Sequence, residues 1–259
     1  MSILAEIAEK TRQRVAEEKM SLPLPQLRAQ AEAMDASTGF PFAKALAAPG
    51  MRFICEVKKA SPSKGLIAPN FPYLDIAKEY QAADAAAISC LTEPYWFQGS
   101  DQYLKEIAQA VTIPVLRKDF TVDEYMIYGA KVLGASAVLL ICAILDDGQL
   151  KDYLALAHSL GLSALVEAHD ETELNRALSA GAGIIGVNNR DLRTFTVDVS
   201  NSLRLRKLAP PEVLFVSESG IKTPEDIEKL YDNGTNAVLI GETLMRAPDK
   251  KAMLAQLRG

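Results

Sequence analysis

The chain has 259 residues, of which 49% are hydrophobic and 24% charged, and its formal net charge is -5. These are ordinary values for a soluble globular protein, and the acidic balance argues against nucleic acid as the main partner. No apolar run approaches the ~20 residues of a membrane span, and the N-terminus lacks the apolar region of a signal peptide. We therefore expect a cytoplasmic protein with no membrane contact. The cysteines Cys55, Cys90 and Cys142 lie in apolar runs without metal-ligand spacing, which indicates buried thiols in a reducing compartment.

The first 48 residues predict helices and no strand. Apolar residues recur at helical spacing between Ile3 and Val15, with charges between them, and predict a helix over 2–20. Two shorter helices are predicted over 27–34 and 41–48. Because this segment has no strand of its own, we expect residues 1–48 to form a helical leader that packs on the domain that follows.

From Phe53 onward, short apolar runs alternate with amphipathic stretches. The apolar runs predict strands over 53–59, 86–91, 113–117, 135–141, 163–166, 183–187, 212–216 and 236–240. The amphipathic stretches predict helices over 73–83, 101–110, 123–133, 147–160, 171–180, 201–208, 224–232 and 249–257. Apolar strands separated by helices indicate parallel pairing with both faces covered, and eight such units favour an α/β fold of the (β/α)8 TIM-barrel type. Since no change in composition marks a second domain, we predict one barrel domain over 1–259.

Charged residues end the first predicted strand. Glu56 and Lys58 point to the same face, roughly 7 Å apart by strand rise, and such a pair is costly to bury unless it is paired or used. The loop Ser61-Pro62-Ser63-Lys64-Gly65 follows. A charged strand end followed by a loop of small residues is typical of the rim of an α/β active site. The same pattern also fits an edge strand with one charged side in solvent.

Polar and charged residues also stand at the carboxyl ends of the later predicted strands. The polar and charged residues found there are Thr92, Glu93, Arg117, Lys118, Asp119, Glu167, Asn188, Asn189, Arg190, Glu218, Ser219 and Glu242. Active sites of (β/α)8 barrels lie at this face and draw on several strands, so we interpret the set as one site. For Glu93 and Asp119 alone, loop salt bridges or helix caps fit equally well.

Three kinds of chemistry fit these residue types. Two lysines among carboxylates support general acid and base steps on a carbonyl substrate. The turns Ser219-Gly220 and Gly241-Glu242 follow the last two strands, where backbone N–H groups commonly hold phosphate, but they also fit ordinary turns. The aromatic residues Tyr95, Trp96, Phe97 and Phe120 lie in the rim loops and fit either a wall for an aromatic ring or loop packing.

Neither histidine is predicted to have a role in the site. His158 lies on a predicted helix without a nearby ligand, and we expect His169 to point away from Glu167 or to enter the next helix. We predict no metal and no cofactor.

Five segments in chain order form a distinctive set: Glu56-Val57-Lys58-Lys59-Ala60-Ser61-Pro62-Ser63, Leu116-Arg117-Lys118-Asp119-Phe120, Leu165-Val166-Glu167-Ala168-His169, Gly186-Val187-Asn188-Asn189-Arg190-Asp191-Leu192 and Ser217-Glu218-Ser219-Gly220-Ile221. Together they resemble the indole-3-glycerol phosphate synthase family, and the resemblance extends over the whole chain, leader included. The resemblance implies a (β/α)8 barrel of tryptophan biosynthesis. Its reaction closes and decarboxylates 1-(2-carboxyphenylamino)-1-deoxyribulose 5-phosphate to indole-3-glycerol phosphate, with release of CO2 and water.

The resemblance also implies residue roles. Lys118 is expected to be the general acid at the ketone oxygen, and Lys58 and Glu167 the acid and base partners of the later dehydration. Glu56 is expected to orient or deprotonate near these groups. The remaining expectations are ribulose hydroxyl contacts for Asn188 and Glu218, a carboxylate contact for Arg190, phosphate contacts for Ser61, Ser219, Gly220 and Gly241, and a wall for the anthranilate ring from Phe97 and Phe120.

The sequence departs from the family pattern at two positions and leaves alternatives open. Ala60 stands where some relatives carry a lysine, and Glu242 stands where many have serine, so we expect backbone N–H groups rather than the Glu242 side chain to bind phosphate. Two alternatives are another phosphosugar isomerase or aldolase on the same barrel, and a non-catalytic barrel that binds a phosphometabolite. The expected partner is the small phosphosugar with its anthranilate ring, bound by a chain that we expect to be a monomer.

Overall fold

The structure is a computed structural model that describes residues 2–191 and 194–259. Leu192, the last residue of the fourth segment above, lies outside the described residues. The chain begins with helices α1 (Ile3–Ser21), α2 (Leu24–Glu32) and α3 (Pro41–Ala47). These are the three predicted leader helices, although α2 begins earlier than expected because Pro23 at its start has a fixed φ and needs no N–H partner.

Beyond the leader, strands alternate with helices in the described residues, with three additions: a hairpin after the first strand, a 3-10 turn (Cys142–Ile144) before one helix, and a second helix after the last strand. The strands are β1 (Arg52–Val57), β2 (Ala60–Ser61), β3 (Gly65–Leu66), β4 (Ala87–Leu91), β5 (Val115–Lys118), β6 (Ala137–Ile141), β7 (Ser163–Ala168), β8 (Ile184–Asn188), β9 (Leu214–Glu218) and β10 (Ala237–Ile240). The helices are α4 (Tyr73–Ala82), α5 (Asp101–Ala110), α6 (Glu124–Val132), α7 (Asp147–Ser159), α8 (Glu171–Ser179), α9 (Ser200–Arg206), α10 (Pro224–Asp232), α11 (Glu242–Arg246) and α12 (Lys250–Arg258).

Eight parallel strands close into a barrel in the part of the chain that the structure describes. The order around the ring is β1-β10-β9-β8-β7-β6-β5-β4, and β1 pairs with both β10 and β4. The predicted (β/α)8 barrel is therefore confirmed. Three elements were not predicted: the hairpin of β2 and β3, the 3-10 turn Cys142–Ile144 after β6, and the short helix α11 after β10. The first strand also ends at Val57 rather than at the predicted residue 59.

Several strands run further than their apolar residues alone predicted. β5 extends to Lys118, β8 to Asn188 and β9 to Glu218, so these polar side chains sit on rigid strands rather than in loops. Their inward orientation follows from the alternation of a strand. This placement fixes the positions of the site residues more firmly than loop positions would.

The leader covers the barrel at both ends. Phe42 and Leu46 of α3 are completely buried in one cluster with inward-facing strand residues, and Ile184 and Leu214, which begin β8 and β9, belong to it. The same cluster includes Ile7 of α1. Lys19 Nζ in α1 lies 2.7 Å from Asp123, and Arg28 in α2 lies 3.0 Å from Glu124, so ion pairs hold both helices beside α6.

The three cysteines are buried free thiols, as predicted. Burial raises the pKa of each one above its usual value, so they remain uncharged. Among the described residues, no helix combines the length and apolar character needed to cross a bilayer.

Candidate active site

A cavity of about 630 Å³ opens at the carboxyl ends of the barrel strands. The residues to which the resemblance assigns a role all line it: Glu56, Lys58, Ser61, Phe97, Lys118, Phe120, Glu167, Asn188, Arg190, Glu218, Ser219, Gly220 and Gly241. Of the other polar strand-end residues, Asp119 and Glu242 line the cavity, whereas Thr92, Glu93, Arg117 and Asn189 do not. The cavity has a charged floor, an apolar wall and a rim of small residues.

Lys118 lies at the centre of the charged floor. Its Nζ atom is 2.9 Å from Glu167 Oε2 and 3.3 Å from Glu218 Oε2, because β5, β7 and β9 all point these side chains inward. Burial alone would lower the Lys118 pKa, but Glu167, Glu218 and Glu56 outweigh it and raise that pKa above its usual value. The side chain is therefore an ammonium group with three N–H donors.

Glu167 is the ionised carboxylate of the site. Its Oε2 atom accepts a hydrogen bond from Lys118, and its Oε1 atom accepts one from Asn188 Nδ2 at 3.3 Å. Burial pushes the pKa of Glu167 upward, but Lys118 and a neighbouring histidine outweigh burial, so that the pKa lies well below its usual value.

Glu218 has the opposite character. Burial raises its pKa to about 7; Lys118 opposes the rise and the charge of Glu167 adds to it. Its Oε1 atom is buried and has no hydrogen-bond partner among the described residues. That oxygen lies so close to Gly186 that a Cβ there would overlap with it. A glycine at 186 is thus required for the Glu218 carboxyl group to occupy the cavity floor.

Glu56 and Lys58 form the second charged pair. Lys58 Nζ donates a hydrogen bond to Glu56 Oε1, and both side chains are largely buried. The two side chains meet as predicted from strand alternation, although Lys58 lies one residue beyond the end of β1. Gly241, at the end of β10, presses against both groups, since a Cβ at this position would lie 2.7 Å from Lys58 Nζ.

The small-residue rim lies opposite the apolar wall. Ser219 and Gly220 have φ angles of 70° and 87°, which aim consecutive backbone groups into a tight turn after β9. Gly241 precedes α11, and Ser61 lies in the short hairpin. The Glu242 carboxylate is engaged by Arg246 at 3.1 Å and Lys64 at 3.6 Å.

The apolar wall contains only half of the aromatic set singled out in the sequence. Phe97 and Phe120 line the cavity with ring centroids 6.1 Å apart. Tyr95 and Trp96 do not line it; they pack edge to face on each other, with Lys10 Nζ 5.1 Å from the Tyr95 ring centroid. The loop-packing interpretation therefore holds for Tyr95 and Trp96.

Apolar residues that the sequence analysis missed complete this wall. Leu139 and Ile141 of β6 line the cavity, as do three residues of the leader: Ile3, Leu4 and Ile7. The helical spacing of apolar residues in α1 predicts that one face of this helix is buried. It does not predict which part of the chain that face packs against.

Glu93 and Asp119, for which the sequence also allowed a cap or a loop salt bridge, both hold loops in place. Glu93 accepts hydrogen bonds from the backbone N–H groups of the next loop, at residues 95, 96 and 97, with distances of 2.9, 2.7 and 3.0 Å. Asp119 accepts hydrogen bonds from Arg14 at 2.9 Å and from the Thr92 hydroxyl at 2.6 Å. Both therefore act as caps or ion-pair partners.

Arg190 lies at the exposed side of the cavity. Its Nη1 atom donates to the carbonyl oxygen of Phe195 at 3.3 Å, and its backbone N–H donates to Asn188 Oδ1 at 3.0 Å. The second contact orients the Asn188 amide so that its Nδ2 faces Glu167.

The expectation for His169 is wrong. Residues two apart share a face of a strand, and the His169 Nε2 atom lies 3.3 Å from Glu167 Oε1. His169 follows the last residue of β7 and keeps the strand direction instead of turning into α8.

Barrels of this fold carry their catalytic groups at the carboxyl ends of the strands, and here a lysine and carboxylates of opposed pKa meet at that face. The class is thus a (β/α)8-barrel enzyme that works by acid–base chemistry on a small molecule. A family model for indole-3-glycerol phosphate synthase matches residues 4–257. The chain belongs to this family.

Relatives agree with the family assignment, and a solved structure agrees with the fold. A protein named indole-3-glycerol phosphate synthase from Ruminiclostridium cellulolyticum is 56% identical over 257 residues, which are 99% of each chain. One of the same name from Endomicrobium trichonymphae is 53% identical over 256 residues, again 99% of each chain. The 3-hexulose-6-phosphate synthase of Salmonella typhimurium has a TM-score of 0.65 at 14% identity, over 80% of this chain and 96% of that one, which supports the fold alone.

Family membership makes the chain an enzyme, a decarboxylating carboxy-lyase of tryptophan biosynthesis. The substrate of the family is a phosphorylated small molecule that carries an anthranilate ring.

Proposed function

We propose that this chain closes and decarboxylates 1-(2-carboxyphenylamino)-1-deoxyribulose 5-phosphate with Lys118 as the general acid. The observation that carries the proposal is the position of the Lys118 ammonium group between Glu167 and Glu218, in a cavity that Phe97 and Phe120 also line. Ring closure makes a bond between an aromatic carbon and the ketone carbon, so negative charge develops on the ketone oxygen. An ammonium group placed there stabilises that charge and supplies the proton.

Decarboxylation then needs no further acid. Ring closure leaves the carboxylate on a saturated ring carbon, and loss of CO2 returns its electron pair to the ring and restores aromaticity. We assign Arg190 to the substrate carboxylate before this step, because a guanidinium binds a carboxylate by two parallel hydrogen bonds. Its position at the exposed side of the cavity leaves a path for CO2 to depart.

Dehydration is assigned to Lys58 and Glu167. Lys58 protonates the leaving hydroxyl, with Glu56 as the carboxylate that orients its ammonium group. Loss of water leaves positive charge that the ring nitrogen shares, and the proton on the adjacent carbon becomes strongly acidic. A carboxylate of low pKa such as Glu167 is a sufficient base for that proton.

The other residues bind the substrate in this proposal. Phe97 and Phe120 contact the anthranilate ring, and Asn188 and Glu218 contact the ribulose hydroxyls. The phosphate is held by Ser61 and by the backbone at Ser219, Gly220 and Gly241, where small residues permit close approach.

We further propose that residues 1–48 and the barrel form one domain that acts as a monomer in the cytoplasm. The support is that the cavity needs the leader, since Ile3, Leu4 and Ile7 form part of its wall. All the proposed catalytic groups come from a single chain. Light scattering of the purified protein tests the monomer directly.

The decisive test is an ultraviolet assay for indole formation from the carboxyphenylamino sugar phosphate. The wild-type protein should form the product, and Lys118→Ala should lose turnover by at least ~10³-fold while its circular dichroism is unchanged. Lys151→Ala, at an exposed lysine of α7, is the matched control and should keep full activity. Near-normal turnover of Lys118→Ala would exclude its acid role.

The same preparation separates the alternatives. A Schiff-base aldolase needs a neutral lysine, whereas the carboxylates around Lys118 keep it protonated. Borohydride should therefore trap no substrate on Lys58 or Lys118. Covalent trapping, or tight substrate binding with no product, would contradict the proposed lyase.

A further inference from the structure

His169 occupies a position between two carboxylates. Its Nε2 atom lies 3.3 Å from Glu167 Oε1, and its Nδ1 atom lies 2.9 Å from Glu173 Oε2. The side chain is 18% exposed, so water does little to screen these contacts. Nε2 is buried and has no aligned hydrogen-bond partner among the described residues, so the charge it faces is that of the Glu167 carboxylate.

A neutral imidazole cannot satisfy both contacts. It has one N–H donor and one acceptor nitrogen, and the acceptor lone pair would face a carboxylate oxygen on one side. Only the imidazolium removes this repulsion and places positive charge beside both carboxylates. Burial acts to lower the His169 pKa, but the Glu173 hydrogen bond and the nearby charges of Glu167 and Glu173 outweigh it and raise that pKa to about 10.

The backbone of His169 is held by two neighbouring helices. Glu173 Oε2 in α8 accepts the backbone N–H of His169 at 2.9 Å, and the N-cap residue Asp170 accepts the Glu173 N–H at 2.9 Å. The Asn201 amide in α9 donates to the His169 carbonyl oxygen at 3.0 Å. These contacts fix the point from which the imidazole extends, and the ring itself contacts Glu173 through Nδ1.

We propose that His169 is a positioning residue, an imidazolium bridge between Glu167 and Glu173 that holds the Glu167 carboxylate ionised and aimed at Lys118. The inference rests on the proposed role of Glu167 in the reaction. It explains how Glu167 Oε1 is directed to Asn188 and His169 while Oε2 remains for Lys118.

The charged groups around the bridge are consistent with this role. On the barrel side, Lys118 and then Glu218 lie beyond Glu167. On the helix side, the Cys142 thiol contacts the backbone carbonyl of Glu173, and Arg176 is engaged by Asp147 and two backbone carbonyl groups. Glu171 lies in the first turn of α8 and faces Arg204 at 3.9 Å. None of these groups replaces the imidazolium as the second cation on Glu167.

The protonation state can be measured without any reaction. The chain has 2 histidines, and the His158→Gln variant leaves His169 as the one imidazole in a nitrogen-15 spectrum. Both ring nitrogens should remain protonated at pH 8, well above the ordinary histidine pKa of about 6.5. Glu173→Gln, which keeps an oxygen acceptor for the His169 N–H, should lower the apparent pKa. Titration near 6.5 in the His158→Gln protein would overturn the proposal.

The effect on the reaction is measured with a double-mutant cycle. His169→Gln should lower kcat roughly 10- to 100-fold, the cost of a misplaced group, with KM changed less than about threefold. In a Glu167→Gln background, His169→Gln should have no further effect on kcat, since it acts through Glu167. His158→Gln should leave kcat unchanged.

Each outcome is informative. Equal losses in both backgrounds, or a loss confined to thermal stability, would mean a structural role and overturn the proposal. If His169→Gln does not fold, the Glu173→Gln variant carries the kinetic test, with a smaller loss of kcat expected. Failure of the wild-type protein to form indole product would instead reject the proposed function and leave the imidazolium measurement valid.

Discussion

Arg14 of the leader donates a 2.9 Å hydrogen bond from Nη2 to Asp119 Oδ2, and Asp119 directly follows Lys118. The Asp119 side chain is fully buried and that of Arg14 is 12% exposed. The same Asp119 oxygen accepts the Thr92 hydroxyl, and Oδ1 accepts the backbone N–H of Phe120. The leader is thereby joined to the segment that carries both the proposed acid and a wall residue.

Arg14→Ala is expected to lower the free energy of unfolding by about 3 kcal/mol, because it leaves a buried carboxylate without its nearest cation. Arg117, 3.8 Å from Asp119, offsets part of the loss. The urea midpoint gives the stability change, and kcat should fall as well, since the Lys118 segment loses a restraint.

Arg12→Ala is the matched control for this prediction. Arg12 pairs with Glu9 at 3.4 Å on the solvent side of α1, with both side chains about half exposed, and such pairs contribute less than about 1 kcal/mol. Equal stability losses for the two variants would show that the Arg14–Asp119 pair has no special role.

Gly241→Ala should reduce activity more than stability. A Cβ at this position would lie 2.7 Å from Lys58 Nζ and would also overlap with the Glu56 carboxylate. Because Lys58 Nζ is the end of a flexible side chain, we expect it to move away at a cost of about 1 kcal/mol in the free energy of unfolding. The displaced ammonium group should lower kcat roughly 10- to 100-fold.

The control for this variant is Gly183→Ala, because a Cβ at residue 183 meets nothing within 4 Å. Its kcat and its urea midpoint should match those of the wild-type protein. A Gly241→Ala enzyme with unchanged kcat would mean that the Lys58–Glu56 pair tolerates displacement and is not the acid of dehydration.

The barrel could be predicted because local signals and burial agree. Strands such as β6 and β10 are fully buried on both faces and therefore read as unbroken apolar runs. Caps at Ser100, Asp146 and Thr223 accept hydrogen bonds from the first turns of their helices, where local sequence alone marks the start. Charged residues at strand ends indicated the site because their faces follow from strand alternation.

What could not be predicted depends on contacts between distant segments. The leader meets the barrel across long separations in sequence; Arg14 and Asp119, for example, are 105 residues apart. The separation of Phe97 and Phe120 from Tyr95 and Trp96 depends on the path of one loop, which the Glu93 carboxylate sets through three backbone N–H groups. The contact of His169 with Glu167 is different, because strand alternation carried past Ala168 places these two residues on one face and so could have predicted it.

Phe120→Leu should weaken substrate binding. Phe120 is 8% exposed and faces Phe97 across the wall, and an aromatic contact is worth about 0.5–1.5 kcal/mol beyond its buried area. KM should rise by about 3- to 10-fold, with a smaller change in kcat. Steady-state kinetics in the indole assay measures both.

Tyr95→Leu is the comparison variant, since Tyr95 is 49% exposed and lies outside the cavity. It should leave KM within about twofold of the wild-type value, as for surface substitutions generally. A larger rise in KM for Tyr95→Leu than for Phe120→Leu would contradict the assignment of the wall.

Glu218→Gln should make stability depend less on pH. In the folded protein, burial raises the Glu218 pKa to about 7 from a usual value of 4.5, so the folded state holds this proton through a range in which the unfolded chain has released it. The wild-type protein therefore loses stability as the pH rises through that window. At about 1.4 kcal/mol per pH unit, the loss amounts to roughly 3 kcal/mol.

The glutamine variant lacks this titration, so it should be more stable than the wild-type protein at pH 8 and nearly equal to it at pH 4.5, as measured by urea unfolding at both values. If the difference in unfolding free energy between the two proteins is the same at both pH values, the ionised form of the Glu218 carboxyl group is not destabilised in the folded protein. The same variant should lose activity if Glu218 binds a ribulose hydroxyl. A gain in stability together with a loss of turnover would mean that the cavity floor keeps an unfavourable charge because the reaction uses it.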